Sequence, residues 1–321
     1  MTQPLRWGIL GTGRIARKFA GQLPQTDRAE LVAAGSRSAD SARGFVEEFG
    51  GTPRAGYERL LADPSVEAVY NSLPNALHHE WTIRALEAGK HVLCEKPMAV
   101  TVAEAEEMFD AAERHGRLLI EAFMYRCHPA VEKLIQTVRR GAIGQLKLIR
   151  THFTFNRPEP ADDVRYQPGL AGGSLMDIGC YCVNLARAIA GREPTGMHAV
   201  AHLHPSGVDD YAAGMLDFGG HVLSAFTCGM TVDADRTTYA GGSEGYVVMD
   251  TPWFSDGTFT LVRGDERETI RTEASKAPYA LEAEAFAAAV CGEAEPWISK
   301  ADTLGNVRVL AELRRQVGLP F

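Results

Sequence analysis

The residues best equipped for chemistry sit in two short stretches. In HVLCEKPMAV, His91 to Val100, an apolar run meets Glu95, Lys96 and Pro97. Proline stops a strand and biases the residue before it toward an extended conformation, so the backbone at Lys96 has little freedom and its ammonium is aimed. In GGSLMDIGCYCVN, Asp177 and Tyr181 are four apart and therefore neighbours on one helical face. Both are polar groups in an otherwise apolar helix, where burial without partners is costly. A phenol titrates near pH ~10; the ammonium of Lys96 beside it would lower that value and favour the transient tyrosinate that general acid–base chemistry uses at neutral pH. A lysine capping a strand end, and a core tyrosine bonded to Asp177, fit the same spacing.

A partner for such chemistry is written near the N-terminus. The first apolar run leads directly into GTGRIA, a G-x-G-x-x-A spanning Gly11, Thr12, Gly13, Arg14, Ile15 and Ala16. In a strand–turn–helix context Gly11 permits the tight turn, Gly13 lets a pyrophosphate approach the backbone, and Ala16 lets helix pack closely on strand. The helix N-terminus then offers unpaired N–H groups and partial positive charge to the phosphates. The second strand ends Gly35-Ser36-Arg37-Ser38, where a site for a free ribose 2′-hydroxyl would carry Asp or Glu. Ser36 and Arg37 suit a 2′-phosphate, which a carboxylate would repel, so the expected cofactor is NADP, with NAD the alternative.

Elements that could position these groups follow from periodicity. Up to Phe123, apolar runs at Leu5 to Leu10, Glu30 to Gly35, Ala68 to Ser72, His91 to Glu95 and Leu118 to Ala122 alternate with amphipathic segments, the pattern of βαβ units and a parallel sheet. Ile15, Phe19 and Leu23 mark one helix, and Leu77, Trp81, Ile83 and Leu86 one broad face of another. Thr101 with Glu104 forms a capping box, and Gly116 ends that helix. After Phe123 the texture changes: a helix from about Pro129 to Arg140, the β-rich run QLKLIRTHFTF, an apolar helix around Ser174 to Ala190, then several strands with short turns such as Gly219-Gly220, which favour antiparallel pairing. Helices near Tyr279 to Val290 and Ala301 to Val317 close the chain. The expected domains are 1–123 and 124–321.

The 321 residues exceed what one core usually serves, so two domains fit the length. A net charge of −8 with no basic run argues against nucleic acid as partner, and no window of about 18 apolar residues exists to span a membrane. The N-terminal MTQPLRWGIL lacks a basic segment followed by a long apolar one, and the expected location is the cytoplasm. Cys94, Cys127, Cys180, Cys182, Cys228 and Cys291 lack C-x-x-C spacing and read as reduced thiols, with no metal site.

Taken together, GTGRIA, SLPNALHHEWTIRALEAGKHVLCEKPM, EAFMYRCHP and GGSLMDIGCYCVN, in this order and spacing, resemble the Gfo/Idh/MocA oxidoreductases, in particular the dimeric dihydrodiol dehydrogenase and NADP-dependent D-xylose dehydrogenase branch. The resemblance spans nearly the whole chain. It implies an α/β fold: a Rossmann domain followed by an α+β domain built on a large open, mainly antiparallel sheet that makes homodimer or homotetramer contacts. It also implies that Lys96 lies near the nicotinamide, that the Lys96–Pro97 peptide is often cis, that Leu73, Pro74, Asn75 and His78 line the nicotinamide end, and that Tyr181 stands where many relatives carry a catalytic histidine. Two departures stand out: Val164-Arg165 replaces a common Trp-Arg, leaving Arg165 to bind cofactor or substrate without an aromatic wall, and Tyr70-Asn71-Ser72 replaces a more apolar strand end. The implied activity is hydride transfer between nicotinamide and a sugar or sugar-like diol or ketone. A glycosidase that keeps its nicotinamide bound and oxidises transiently, and a non-catalytic NADP sensor, are the alternatives.

Overall fold

The computed structural model describes residues 3–157 and 163–319 and divides into two compact units. The first is Met1–Cys127 with Ser275–Thr303; the second is His128–Ala274 with Leu304–Phe321. The sequence boundary after Phe123 lies close to the first crossing, but the helix at Tyr279 to Val290, which follows the second half in sequence, packs in the first unit.

The first unit holds a six-stranded parallel sheet in the order β3-β2-β1-β4-β5-β6. Its strands are β1 (Leu5–Leu10), β2 (Ala29–Ser36), β3 (Thr52–Ala55), β4 (Ala68–Asn71), β5 (His91–Glu95) and β6 (Leu119–Ala122). The crossovers carry α1 (Arg14–Gln22), α2 (Ala39–Phe49), α3 (Tyr57–Leu61), α4 (His78–Glu87) and α5 (Val102–Arg114). Strand β3, absent from the apolar runs of the sequence, is four residues long and mostly exposed at the sheet edge, so it has no such run to betray it. Helix α4 also departs from its sequence pattern. Its buried face is His78, Trp81, Thr82, Ala85 and Leu86, while Leu77 and Ile83 are only half-buried, because two polar side chains with internal partners take core positions. The capping box at Thr101 and Glu104 forms with both of its hydrogen bonds.

Helix α8 (Pro278–Val290) completes this core. Phe286 lies 5.0 Å from Trp7, Trp7 meets Phe19 edge-on at 5.2 Å, and Phe19 stacks on Tyr70 at 4.0 Å, giving a continuous aromatic column.

The second unit is an eight-stranded sheet in the order β14-β13-β12-β11-β7-β10-β9-β8. It comprises β7 (Leu146–Thr154), β8 (Gly196–Leu203), β9 (Asp209–Asp217), β10 (Leu223–Gly229), β11 (Thr238–Gly242), β12 (Tyr246–Met249), β13 (Thr258–Arg263) and β14 (Glu266–Arg271). All pairings are antiparallel except that of β7 with β10. One face, carrying Ile149, Thr151, Phe153, Phe226 and Cys228, is buried, and α7 (Cys180–Ala190) packs on β7 and β10. The alternate residues Leu148, Met215 and Leu223 are exposed. Helix α6 (Pro129–Arg139) precedes the sheet and α9 (Lys300–Gln316) closes the chain.

Candidate active site

In the first unit the site is assembled at the carboxyl ends of β1, β4 and β5, beside the point where strand order reverses between β1 and β4. Gly11 has φ +94°, and a Cβ there would stand 3.0 Å from Ser72 Oγ and 3.3 Å from Leu73. Only glycine fits. Gly13 differs. A Cβ on it would meet nothing within 4 Å, so packing within the chain gives no reason for glycine there. Gly13 caps α1 without any side-chain hydrogen bond, and the first turn holds no acid, so its N–H groups and positive end face outward beside half-buried Thr12, exposed Arg14 and half-buried Ile15. This cradle fits a dinucleotide pyrophosphate. At the end of β2, Arg37 is exposed and lies against Tyr57; burial pushes the Tyr57 phenol above its ordinary pKa and the Arg37 guanidinium opposes that rise. Ser36 is buried and accepts a hydrogen bond from the Ser38 N–H at 3.3 Å, while Ser38 caps α2. An exposed guanidinium flanked by hydroxyls fits a 2′-phosphate.

The polar strand end Tyr70-Asn71-Ser72, which departs from the family pattern, has a structural cause. Asn71 is fully buried; its amide donates to Thr82 Oγ1 at 3.1 Å and the His78 carbonyl at 3.3 Å, and its oxygen accepts the Leu73 N–H. Ser72 donates to the Leu10 carbonyl at 2.7 Å, tying the loop to the glycine turn. Within that loop Leu73 is buried, whereas Pro74 and Asn75 are half-buried. His78, expected to line the nicotinamide end, is fully buried, with Nε2 2.7 Å from the Leu73 carbonyl and Nδ1 3.0 Å from the Pro97 carbonyl. Burial pushes its pKa down to about 4, aided by the charge of Lys96 and opposed by the hydrogen bonds to the two carbonyls. It joins the loop after β4 to the loop after β5.

Lys96 is half-buried and its peptide to Pro97 is cis. Its N–H donates to Glu95 Oε2 at 3.2 Å, and Met98 N–H donates to Glu121 Oε1 at 2.9 Å. The backbone is thus held on both sides of the lysine.

In the second unit a π-helical turn, Leu175–Gly179, runs into α7. Such turns insert an extra residue and recur at functional sites. Asp177 lies in this turn, so the regular helical repeat assumed in pairing it with Tyr181 does not apply. Its carboxylate accepts from Arg165 Nε at 2.6 Å, and Arg165 also reaches Asp163 at 3.2 Å. Asp177 first, then its hydrogen bond and Asp163, raise the Arg165 pKa. Gly172 and Gly173 explain the approach. A Cβ on Gly172 would lie 2.3 Å from the Arg165 carbonyl, and one on Gly173 2.1 Å from Asp209 Oδ1. Asp209 Oδ2 accepts from Ser174 Oγ and Leu175 N–H, each at 2.7 Å, anchoring the start of the helix. Tyr181 is buried, edge-on to Phe153 at 5.3 Å and to Trp253 at 5.7 Å; Trp253 stacks on Phe153 and donates to the His152 carbonyl. An aromatic wall therefore exists beside Tyr181 without a tryptophan at Val164.

Asn71, Asp163 and Asp209 escape sequence reasoning. The polar Asn71 at a strand end and the paired acids Asp209-Asp210 heading a strand are the signals available. The segment Asn156 to Ala171, which precedes the glycine pair, includes residues 158–162, which lie outside the described residues. Among the described residues no group of three His, Cys, Asp or Glu could hold a metal, and no helix is long and apolar enough to cross a membrane.

A Rossmann sheet with an anion-binding glycine turn, followed by an α+β unit, defines a dinucleotide-dependent oxidoreductase architecture. Residues 5–123 match the "Oxidoreductase family, NAD-binding Rossmann fold" and residues 131–248 the "GFO/IDH/MocA C-terminal domain", so the chain belongs to the Gfo/Idh/MocA oxidoreductases. It is 34% identical to D-xylose 1-dehydrogenase (NADP(+)) 2 of Haloferax volcanii over 95% of each chain. It is 35% identical to trans-1,2-dihydrobenzene-1,2-diol dehydrogenase of Mus musculus over 82% of this chain and 79% of the relative. A 3-ketoreductase from Actinomadura kijaniata, solved with NADP and TDP-benzene, superimposes with a TM-score of 0.91 at 32% identity, covering 98% of both chains; that enzyme has also been solved with a tyrosine changed to phenylalanine and with a lysine changed to alanine or glutamate.

Proposed function

We propose that this chain is an NADP-dependent oxidoreductase acting on a secondary alcohol, hemiacetal or ketone of a sugar or sugar-like diol. The observation that carries this reading is the aimed Lys96, fixed at the end of β5 two strands from a glycine turn whose Gly13 has no packing role of its own. Gly11, Thr12, Gly13, Arg14 and Ile15 would hold the pyrophosphate, Ser36 and Arg37 the 2′-phosphate, and the segments at Leu73 to Asn75 and Glu95 to Pro97 the nicotinamide end. Bound there, the cofactor accepts or supplies the hydride. Tyr181 takes the hydroxyl proton in oxidation and returns it in reduction. Lys96 orients the substrate oxygen. Asp177, clamped by Arg165, steadies the turn that leads into the helix carrying Tyr181; Arg165 acts through Asp177. NADP and sugar-like substrates named for the relatives support this assignment, as does the choice of a lysine and a tyrosine for substitution in the ketoreductase.

The exposed sheet face supports a homodimer or homotetramer. Val200 is 62% exposed and Met215 61%, with Leu148, Tyr211 and Leu223 on the same broad face. Apolar patches of this kind mark association surfaces. Six free thiols support a reducing, cytoplasmic setting.

Reduced-nicotinamide absorbance across a panel of aldoses, diols and ketoses, with NADP and NAD in turn, tests the reading. Net cofactor turnover with NADP preferred is expected. Cofactor retained through gel filtration with no net reduction would point to the glycosidase mechanism, and saturable NADP binding without turnover to a sensor.

A further inference from the structure

The carboxylate of Glu95 is gripped at both oxygens. Tyr70, fully buried and stacked on Phe19, donates its hydroxyl to Glu95 Oε1. The other oxygen, Oε2, accepts the main-chain N–H of Lys96 at 3.2 Å. Strands β4 and β5 are paired neighbours, with Tyr70 opposite Leu93, so the tyrosine reaches the strand end without leaving the core. Downstream of the lysine the chain is already held, by His78 at the Pro97 carbonyl and by Glu121 at the Met98 N–H. Glu95 supplies the upstream hold.

A second acid stands close by. Glu282 on α8 is fully buried, and neither of its carboxyl oxygens has a hydrogen-bond partner among the described residues. Burial first, then the charge of Glu95, push its pKa well above the usual range. Glu95, by contrast, accepts an O–H and an N–H.

We propose that Tyr70 is a positioning residue of the reaction: by holding Glu95 it sets the main chain from which Lys96 projects. This rests on the reading of Lys96 as catalytic. A tyrosine serving only the core would affect stability and leave turnover alone.

The test compares Tyr70→Phe, Glu95→Gln, the double variant and Lys96→Met, each with NADP and the best substrate of the panel. The expected result is a kcat lowered about tenfold in Tyr70→Phe, with KM for both substrates within about twofold, and no further loss when Tyr70→Phe is added to Glu95→Gln, since the tyrosine acts through the glutamate. Should Tyr70→Phe not fold, Glu95→Gln, which keeps the tyrosine packed, must show the same loss of kcat. Wild-type kcat in Tyr70→Phe, or losses that multiply in the double variant, overturns the proposal while Lys96→Met remains inactive. Normal turnover by Lys96→Met overturns the reading of the site itself.

Discussion

On the proposed reading, cofactor choice turns on Arg37. It stands exposed at the end of β2, where no carboxylate follows the strand, and its guanidinium lies against Tyr57. A hydrogen bond to a charged group is worth about 1.5–3 kcal/mol, so Arg37→Ser should weaken NADP binding roughly tenfold or more while leaving NAD within about twofold, as read by fluorescence titration of each. Equal losses for both would mean that Arg37 does not see the 2′-phosphate. That expectation could be formed because a ribose partner sits at a fixed place in the chain. The tight turn at Gly11 and the constrained backbone at Lys96 were legible too, since both depend on immediate neighbours. His78 was not legible: its partners are the carbonyls of Leu73 and Pro97, and a sequence shows which side chains are present but not which backbone oxygens they meet. Nor did the sequence reveal Asn71 as the bracket of the loop after β4; it read only as an odd polar residue.

The decisive element is the π-helical turn that carries Asp177 into α7. Its start is anchored by Asp209, whose carboxyl burial pushes up to about 6 while the Ser174 and Leu175 hydrogen bonds oppose the rise. The folded value lies above the unfolded value of 3.8. The stabilising contribution is therefore fully present below about pH 4 and is lost as pH rises through 6. At 1.36 kcal/mol for each pKa unit, wild type should lose about 3 kcal/mol of unfolding free energy over this window relative to Asp209→Asn, measured by urea denaturation at the two ends. Parallel profiles for the two proteins would contradict the assignment. Elements defined by local signals, such as the capping box before α5 and the strand β5, could be read residue by residue. The π-turn could not, because side-chain spacing is interpreted with a regular helical repeat, and the contacts at its start, Asp209 with Ser174 and Leu175, join residues far apart in the chain.

At the scale of the whole molecule, the order of the chain conceals its organisation. Residues 275–303 return to the first unit, where α8 places Phe286 against Trp7, and nothing in their own periodicity names that destination. The open sheet was foreseen as mainly antiparallel, and it is, apart from the parallel β7–β10 pair that short turns could not announce. Its exposed face carries a prediction about assembly. Val200→Glu with Met215→Glu should sediment as monomer at concentrations where wild type is a dimer or tetramer, and an unchanged sedimentation coefficient would remove this face from the interface. The central claim, however, concerns chemistry, and turnover of Tyr181→Phe tests it most directly. With NADP and a reactive polyol or ketone, kcat should fall by about 10²–10⁴-fold while NADP affinity stays within about twofold; a variant that reduces and oxidises the cofactor at the wild-type rate would show that the phenol moves no proton.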